Sequence, residues 1–335
     1  MGHHMKMHFL SRAIIVLLLA LCCAPLARGA DQWVTYEGKD GPGKGKHIVF
    51  VTGDDEYRSE ESMPMLAKIL ADHHGFTCTV LFAINPKTGE IDPSTPNNIP
   101  GLEALDHADL MVMLMRFRDL PKEQFQHILD YANSGKPMIG LRTATHSFQF
   151  PRSSEFAKWS WNSSTGGFGR MVLGETWISH YGAHERESTR GIIAPGREND
   201  PIVCGVKNIW AESDVYGIKK LSGDSSPLIL GQPLAGMHPT DPPVASKAPV
   251  PVAWTKTYTG TEGKAARVFT STMGQSDDFK NEGVRRLVIN ACYWAMGMED
   301  KIDPNSNVEI VGTFNPTQIG FNKFKRGVKP ADFKQ

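Results

Sequence analysis

The sequence predicts an α/β protein built around a doubly wound, mostly parallel sheet with helices on both faces, a three-layer arrangement. Three observations carry this. Short β-branched and aromatic runs alternate with amphipathic stretches from about residue 47 to 142, the pattern of β-α-β units with right-handed crossovers. The run "ADLMVMLMR" (108–116) is apolar on both faces, as a strand covered by layers on either side must be. The 335 residues are 40% hydrophobic, enough for one large core.

The elements follow in order. "HIVFVTG" (47–53) reads as a strand closed by Gly53, and "SEESMPMLAKILADHHG" then places Met65, Leu66, Ile69 and Leu70 at helical spacing before Gly75. "FTCTVLFA" (76–83) is a second strand, a Pro- and Asn-rich loop runs to about Pro100, and 108–116 is the third strand. "LPKEQFQHILDYANSG" (120–135) has Phe125, Ile128 and Leu129 on one helical face and stops at Gly135, and "KPMIGLR" is the fourth strand. Beyond residue 150 the pattern loosens into an aromatic, glycine-rich loop region. Strand-like pieces return at "STRGIIA", "DVYGIKKL", "SPLILGQPL", "PVAWTKTY" and "ARVFTSTM", with a helix over 282–297. Residues 233–251 hold six prolines and read as a lid or flap. No repeat or linker divides the chain, so 30–302 is read as one domain and 303–335 as an irregular tail.

At the start, Lys6 and Arg12 precede "AIIVLLLALCCAPLA", which is shorter than the roughly 20 apolar residues of a membrane span. Residues 1–29 are expected to be a signal peptide, with Ala27 and Gly29 at minus three and minus one of a cut before Ala30. The mature chain is expected in the periplasm or outside the cell with no stable membrane span. "LALC" ending at Cys22 makes a poor lipoprotein box because Leu21 is bulky. Removing three bases and no acid leaves 33 basic against 36 acidic side chains, a balance that does not suggest nucleic acid as a partner. Cys78, Cys204 and Cys292 remain, widely spaced and odd in number, with no disulfide framework.

Ligands of an open parallel sheet bind beyond the carboxyl ends of its strands. That rule selects Asp54, Asp55 and Tyr57 after the first strand, Arg116 and Arg118 after the third, and Arg142, Thr143, Thr145 and His146 after the fourth. For either aspartate alone, helix capping is the simpler reading. A second cluster, "SHYGAHE", offers His180 and His184, a spacing that would put both imidazoles on one helical face and that admits a divalent metal such as Zn, given a third ligand such as His146 or His238. Trp159, Trp161, Phe168, Trp177 and Tyr181 crowd the middle loops; they suit stacking on sugar rings or packing on the sheet, and packing is the reading taken for Trp177 and Phe168.

Several blocks in order resemble the ThuA-like proteins: "HIVFVTGDDEYRSEESMPMLAKIL", "GKPMIGLRTATHSF", "GETWISHYGAHERESTRGIIAPG", "DPIVCGVKNIW", "DVYGI" and "PVAWTKTYTG" with the strand and helix after it. The resemblance covers nearly the whole mature chain. It implies a class I glutamine amidotransferase-like (flavodoxin-like) fold and a link to trehalose and related disaccharides, including 3-keto sugars. The amidotransferase thiol is absent from "GLRTATH", so thiolate chemistry is not expected. Arg142 stands where many ThuA-like proteins have His, Asp200 precedes Pro201 where they often have His, and Gln275 follows Gly274 where they often read Gly-His. Asp214 and Tyr216 match the family's acid-x-Tyr element.

The expectation is therefore an exported protein acting on a small carbohydrate as a lyase, isomerase or hydrolase. Arg142, His146 and His180 are the candidate catalytic residues. Asp54, Tyr57, Arg116, Thr143, His184, Asp214, Tyr216 and Gln275 are the candidate binding residues. A non-catalytic sugar-binding or scaffold protein and a metal-dependent hydrolase built on His180 and His184 are the alternatives.

Overall fold

The structure, a computed structural model, describes Met1 and residues 32–218 and 220–334; the expected leader and its cut lie outside the described residues. The chain forms β1 (Trp33–Tyr36), β2 (His47–Gly53), α1 (Ser59–His74), β3 (Thr77–Leu81), β4 (Leu110–Met115), α2 (Lys122–Asn133) and β5 (Met138–Leu141). There follow β6 (Thr189–Ile193), β7 (Trp210–Ala211), β8 (Ser226–Pro233), β9 (Val250–Thr259), β10 (Ala265–Ser271) and α3 (Glu282–Ala295). All ten strands join one sheet in the order β1-β3-β2-β4-β5-β10-β9-β8-β6-β7. Its centre, β3 to β10, is parallel throughout. β1 adds antiparallel at one edge, and β9, β8, β6 and β7 form an antiparallel wing at the other.

Alternation along the central strands sends side chains to two apolar layers. Ile48, Phe50, Val112 and Leu114 belong with Leu66, Ile69 and Leu70 of α1 and Leu287 and Ile289 of α3. Val49, Val51, Met111 and Met113 belong with Phe125 and Ile128 of α2 and with Phe148, Phe168 and Val172 of the middle segment. All six residues of β4 are buried, which is why its run lacks alternation. α1 ends at Gly75, whose left-handed φ of 80° lets its N–H reach Ala71 O at 3.2 Å while Phe76 N–H reaches Leu70 O at 3.1 Å.

Two elements depart from expectation. "DVYGIKKL" is not a strand: its backbone pairs instead with the "SHYG" loop, through an isolated bridge of Tyr216 with His180 and through Gly217 N–H donating to Ser179 O at 2.7 Å. "KPMIGLR" leaves strand geometry after Leu141, because Arg142 takes a φ of 43° and opens a single 3-10 turn to His146. The proline-rich segment after β8 is pinned down, with Arg190 Nη2 donating to Pro239 O and Asp241 O, both at 3.0 Å. Among the described residues from 303 on, the regular structure is one short 3-10 turn, yet the segment is tied to α3 and α1: Arg285 Nε donates to Val308 O at 2.8 Å and a His74 ring nitrogen meets Asn307 O at 2.8 Å. No helix of the described residues is long and apolar enough to cross a membrane.

Candidate active site

Parallel strands that end on one edge deliver their following loops to one place. Here β2 delivers Asp54–Arg58, β4 delivers Arg116–Arg118, β5 delivers Arg142–His146 and β10 delivers Thr272–Gln275. Backbone bonds lock these loops together: Arg116 N–H donates to Gly53 O at 3.1 Å and Phe117 N–H to His146 O at 3.1 Å. The "ESDVYG" segment between β7 and β8 and the "SHYGAHE" loop complete the rim.

Asp214 is the hub. Its side chain has no exposed surface, and its two oxygens take three donors: Oδ1 from Arg142 Nη2 at 2.8 Å and from His184 Nδ1 at 3.0 Å, Oδ2 from His180 Nδ1 at 2.7 Å. Burial alone would raise its pKa, but Arg142 and the two imidazole hydrogen bonds outweigh burial and hold the carboxyl well below the usual range. Arg142 is also without exposed surface. Nη1 donates to Asp214 O at 2.7 Å and Thr272 O at 2.9 Å, Nη2 reaches Tyr57 Oη at 3.3 Å, and the guanidinium lies between the rings of Tyr216 (3.9 Å) and Tyr57 (4.7 Å). Both terminal nitrogens are thus committed to protein acceptors, and Arg142 lies beneath the cleft rather than in it.

The three imidazoles sit in different electrostatic settings. His184 spans two acids, with Nδ1 on Asp214 and Nε2 3.4 Å from Glu56 Oε1, and hydrogen bonds to those carboxylates push its pKa up to about 9. His146 is buried and its pKa falls well below 6.5, first through desolvation and then through the positive charges of Arg116 and Arg142. His180 is the most exposed of the three: its side chain is 39% exposed against 31% for His184, and with Nδ1 bonded to Asp214 its Nε2 makes no hydrogen bond among the described residues.

The other expected site residues fall at differing depths. Asp54 is fully buried: Oδ1 accepts from Glu56 N–H at 2.7 Å and Tyr57 N–H at 2.5 Å, and Oδ2 accepts from Thr143 Oγ1, which shapes the turn ahead of α1. Burial raises its pKa despite those bonds. Tyr57 meets the His184 ring edge-on at 6.1 Å. Arg116 Nη1 donates to Asp55 Oδ1 at 3.0 Å, whereas Arg118 is spent on the carbonyls of Pro93, Thr95 and Arg116. Gln275 caps the 3-10 turn that follows β10, with Asp278 as its reciprocal partner. His184, Asp214 and Gln275 line a cavity of 270 Å³ together with Glu185, Glu212, Ser213, Met237, Asp277, Gln318 and Ile319.

Beside His180 and His184 the structure places Asp214, with ligand-capable atoms of the three within 4.8 Å of one another, while His238 lies exposed on the proline-rich segment. Phe168 is buried in the core as read, but Trp177 is half-buried and borders the site, its ring 5.5 Å from His146 and 5.7 Å from His180. Sequence reasoning missed Glu56, Phe117 and Phe321. Glu56 lies inside the quoted "GDDEY" and shared the strand-end signal that picked out its neighbours; Phe117 sits between two selected arginines; Phe321, 204 residues further along, gave no local signal.

The parallel strands of this mixed α/β sheet thus end on a pair of imidazoles bridged by one carboxylate. The chain belongs to the ThuA family, described as trehalose utilisation, whose model matches residues 46–295. Among solved structures it is similar to a ThuA-like protein of Bacteroides uniformis, at 14% identity and a TM-score of 0.47 over 80% of this chain and 98% of that one. It is also similar to a ThuA-like protein of Parabacteroides merdae, at 13% identity and a TM-score of 0.46 over 87% of this chain and 100% of that one. No curated protein matches the chain.

Proposed function

We propose that this ThuA-family protein is an exported enzyme that acts on a disaccharide, a glycoside or its 3-keto derivative by general acid/base chemistry at the carboxyl edge of the sheet. The single observation that carries the chemistry is the bond of 2.7 Å from His180 Nδ1 to Asp214 Oδ2. It fixes the tautomer with the proton on Nδ1, so that Nε2 of this partly exposed ring can take and return a proton. Asp214 orients His180, and Arg142, with its guanidinium held by Tyr57, Thr272 and Asp214, positions Asp214. His184, charged at neutral pH, supplies a cation to the cavity wall, and His146 stays neutral.

The sugar belongs to this reading through the family description and the aromatic rim: Phe117, Trp161 and Trp177 follow one another at ring spacings of 5.5 and 5.6 Å around His146 and His180. Export rests on the leader sequence. The amidotransferase-like fold rests on the parallel centre with its sharp turn after β5, where Arg142 stands in place of a thiol.

Turnover of a panel of glycosides and their 3-keto derivatives tests the proposal. His180→Ala is expected to lose about 10²–10⁴-fold in kcat while binding stays within about threefold. Binding without turnover by the wild-type chain would mean a sugar-binding protein instead.

A second reading, a metal-dependent hydrolase, is favoured by the clustering of His180, His184 and Asp214. Against it, both Nδ1 atoms already bond the carboxylate and Arg142 shares Oδ1 with His184, so a cation among them would have to replace two imidazole protons beside a guanidinium charge. Elemental analysis of metal-replete protein decides: a stoichiometric metal lost together with activity on chelation would support the second reading, and its absence would end it.

A further inference from the structure

The family match stops at residue 295, yet the cavity wall includes Gln318 and Ile319. Segment 317–321 is anchored rather than draped. Thr317 donates to Glu61 through its N–H at 2.9 Å and through its hydroxyl, Gly320 N–H donates to Glu56 O at 2.8 Å, and Arg58 donates to Gln318 O at 3.1 Å and to Gly320 O. Arg58 has no exposed side-chain surface and a left-handed φ of 60°, a costly conformation for a non-glycine residue that the carbonyls of the tail help to hold. The same short loop carries Glu56, the partner of His184, so the tail and the acid/base cluster share one support.

Beyond this anchor stands Phe321, 51% exposed, with the Arg116 guanidinium 4.8 Å from its ring. Arg116 lies 4.4 Å from the ring of Phe117 on its way to His146, which is 5.2 Å from Phe117. Phe321, Arg116 and Phe117 therefore make one stack that leads from open surface to the imidazoles. Among the described residues the large apolar side chains most open to solvent, apart from Met1, are Phe321, Ile178 and Ile192, and Ile178 sits two residues before His180. The exposed ring is not spent on the core.

We propose that the tail supplies an outer subsite: Phe321, backed by Arg116 and Phe117, stacks against the second ring of a two-ring glycoside whose first ring lies at His180. This rests on the carbohydrate reading and deepens it, making chain length the property that the tail selects. Arg116 is pinned by Asp55 and sandwiched by rings, so the platform is set before ligand arrives.

The test compares trehalose with methyl α-glucoside, each also as its 3-keto derivative, by tryptophan fluorescence titration and by turnover. Phe321→Ala, a change at an exposed position, is expected to raise Kd for the two-ring ligand about tenfold and leave the one-ring ligand within about twofold, with Phe321→Trp restoring the preference. Equal changes for both ligands, or none for either, would overturn the subsite. Failure of the catalytic reading looks different: a length-dependent loss of binding in Phe321→Ala with no turnover by the wild-type chain sinks the acid/base proposal and keeps the platform. Absence of binding by all four sugars to the wild-type chain overturns both.

Discussion

Asp214→Asn tests whether charge holds the hub together, because the substitution keeps the shape and removes the charge. An amide offers one oxygen and one NH2 group, yet the two positions of Asp214 now receive three donors, from Arg142, His180 and His184. Turned toward Arg142 and His184, the amide N–H faces another N–H; turned toward His180, it forces that ring to accept at Nδ1 and to carry its proton on Nε2 instead. Arg142 meanwhile keeps its carbonyl acceptors on Asp214 and Thr272 but loses the carboxylate paired with it in a site with no exposed side-chain surface. Removing one partner of a buried ion pair costs about 3–5 kcal/mol, which for a domain of this size is roughly 5–9 °C in Tm and about 1–2 M in the urea midpoint. Urea unfolding followed by circular dichroism measures it. Adding Arg142→Met should recover part of the loss, with an interaction of about 2 kcal/mol in the double-mutant cycle, since the stranded cation is then gone. A loss below about 1 kcal/mol in the single variant, or simple additivity in the double, would refute the idea that Asp214 and Arg142 form one charge-balanced unit.

Two further predictions concern protons. For His184 the folded pKa near 9 stands above the unfolded 6.5, so its contribution to stability is full below about pH 6.5 and is lost as the pH rises toward 9; unfolding curves across that window should show the decline, and His184→Gln should flatten it. For His74 the sign reverses. Its ring is buried with Tyr293 Oη at 2.9 Å and Asn307 O at 2.8 Å, and burial lowers its pKa to about 4. Stability should fall as the pH drops from 6.5 toward 4, by on the order of 1–3 kcal/mol, and His74→Gln should remove that part of the acid slope.

What the sequence revealed follows the range of the forces involved. β2, α1, β4 and α2 were legible because each is specified by a local period: the doubly apolar run of β4 and the spacing of Phe125, Ile128 and Leu129 on α2 state their own burial. The strand-end rule then found Arg142, His146, Asp54 and Tyr57 without any coordinates. It could not tell depth. Arg142 was read as a ligand anchor, but whether a guanidinium faces solvent or a buried carboxylate depends on Asp214, 72 residues away, and on Tyr57 and Tyr216 closing over it. The "DVYGIKKL" run failed for a related reason: its alternation suits a strand, but its backbone bonds are taken by the histidine loop.

His184 and His146 show how one scaffold sets opposite proton affinities for a single residue type. His184 touches two carboxylates and gains affinity, whereas His146 is stripped of water and faces Arg116 and Arg142 and so loses it. His180 shares the Asp214 carboxylate with Arg142 and His184, and its ring stays open to solvent. Had Arg142 been absent, Asp214 would be a buried carboxylate supported only by imidazoles, and its own protonation would compete with its hold on His180. Arg142 therefore acts from below: it keeps Asp214 ionised, and through Asp214 it holds the ring of His180.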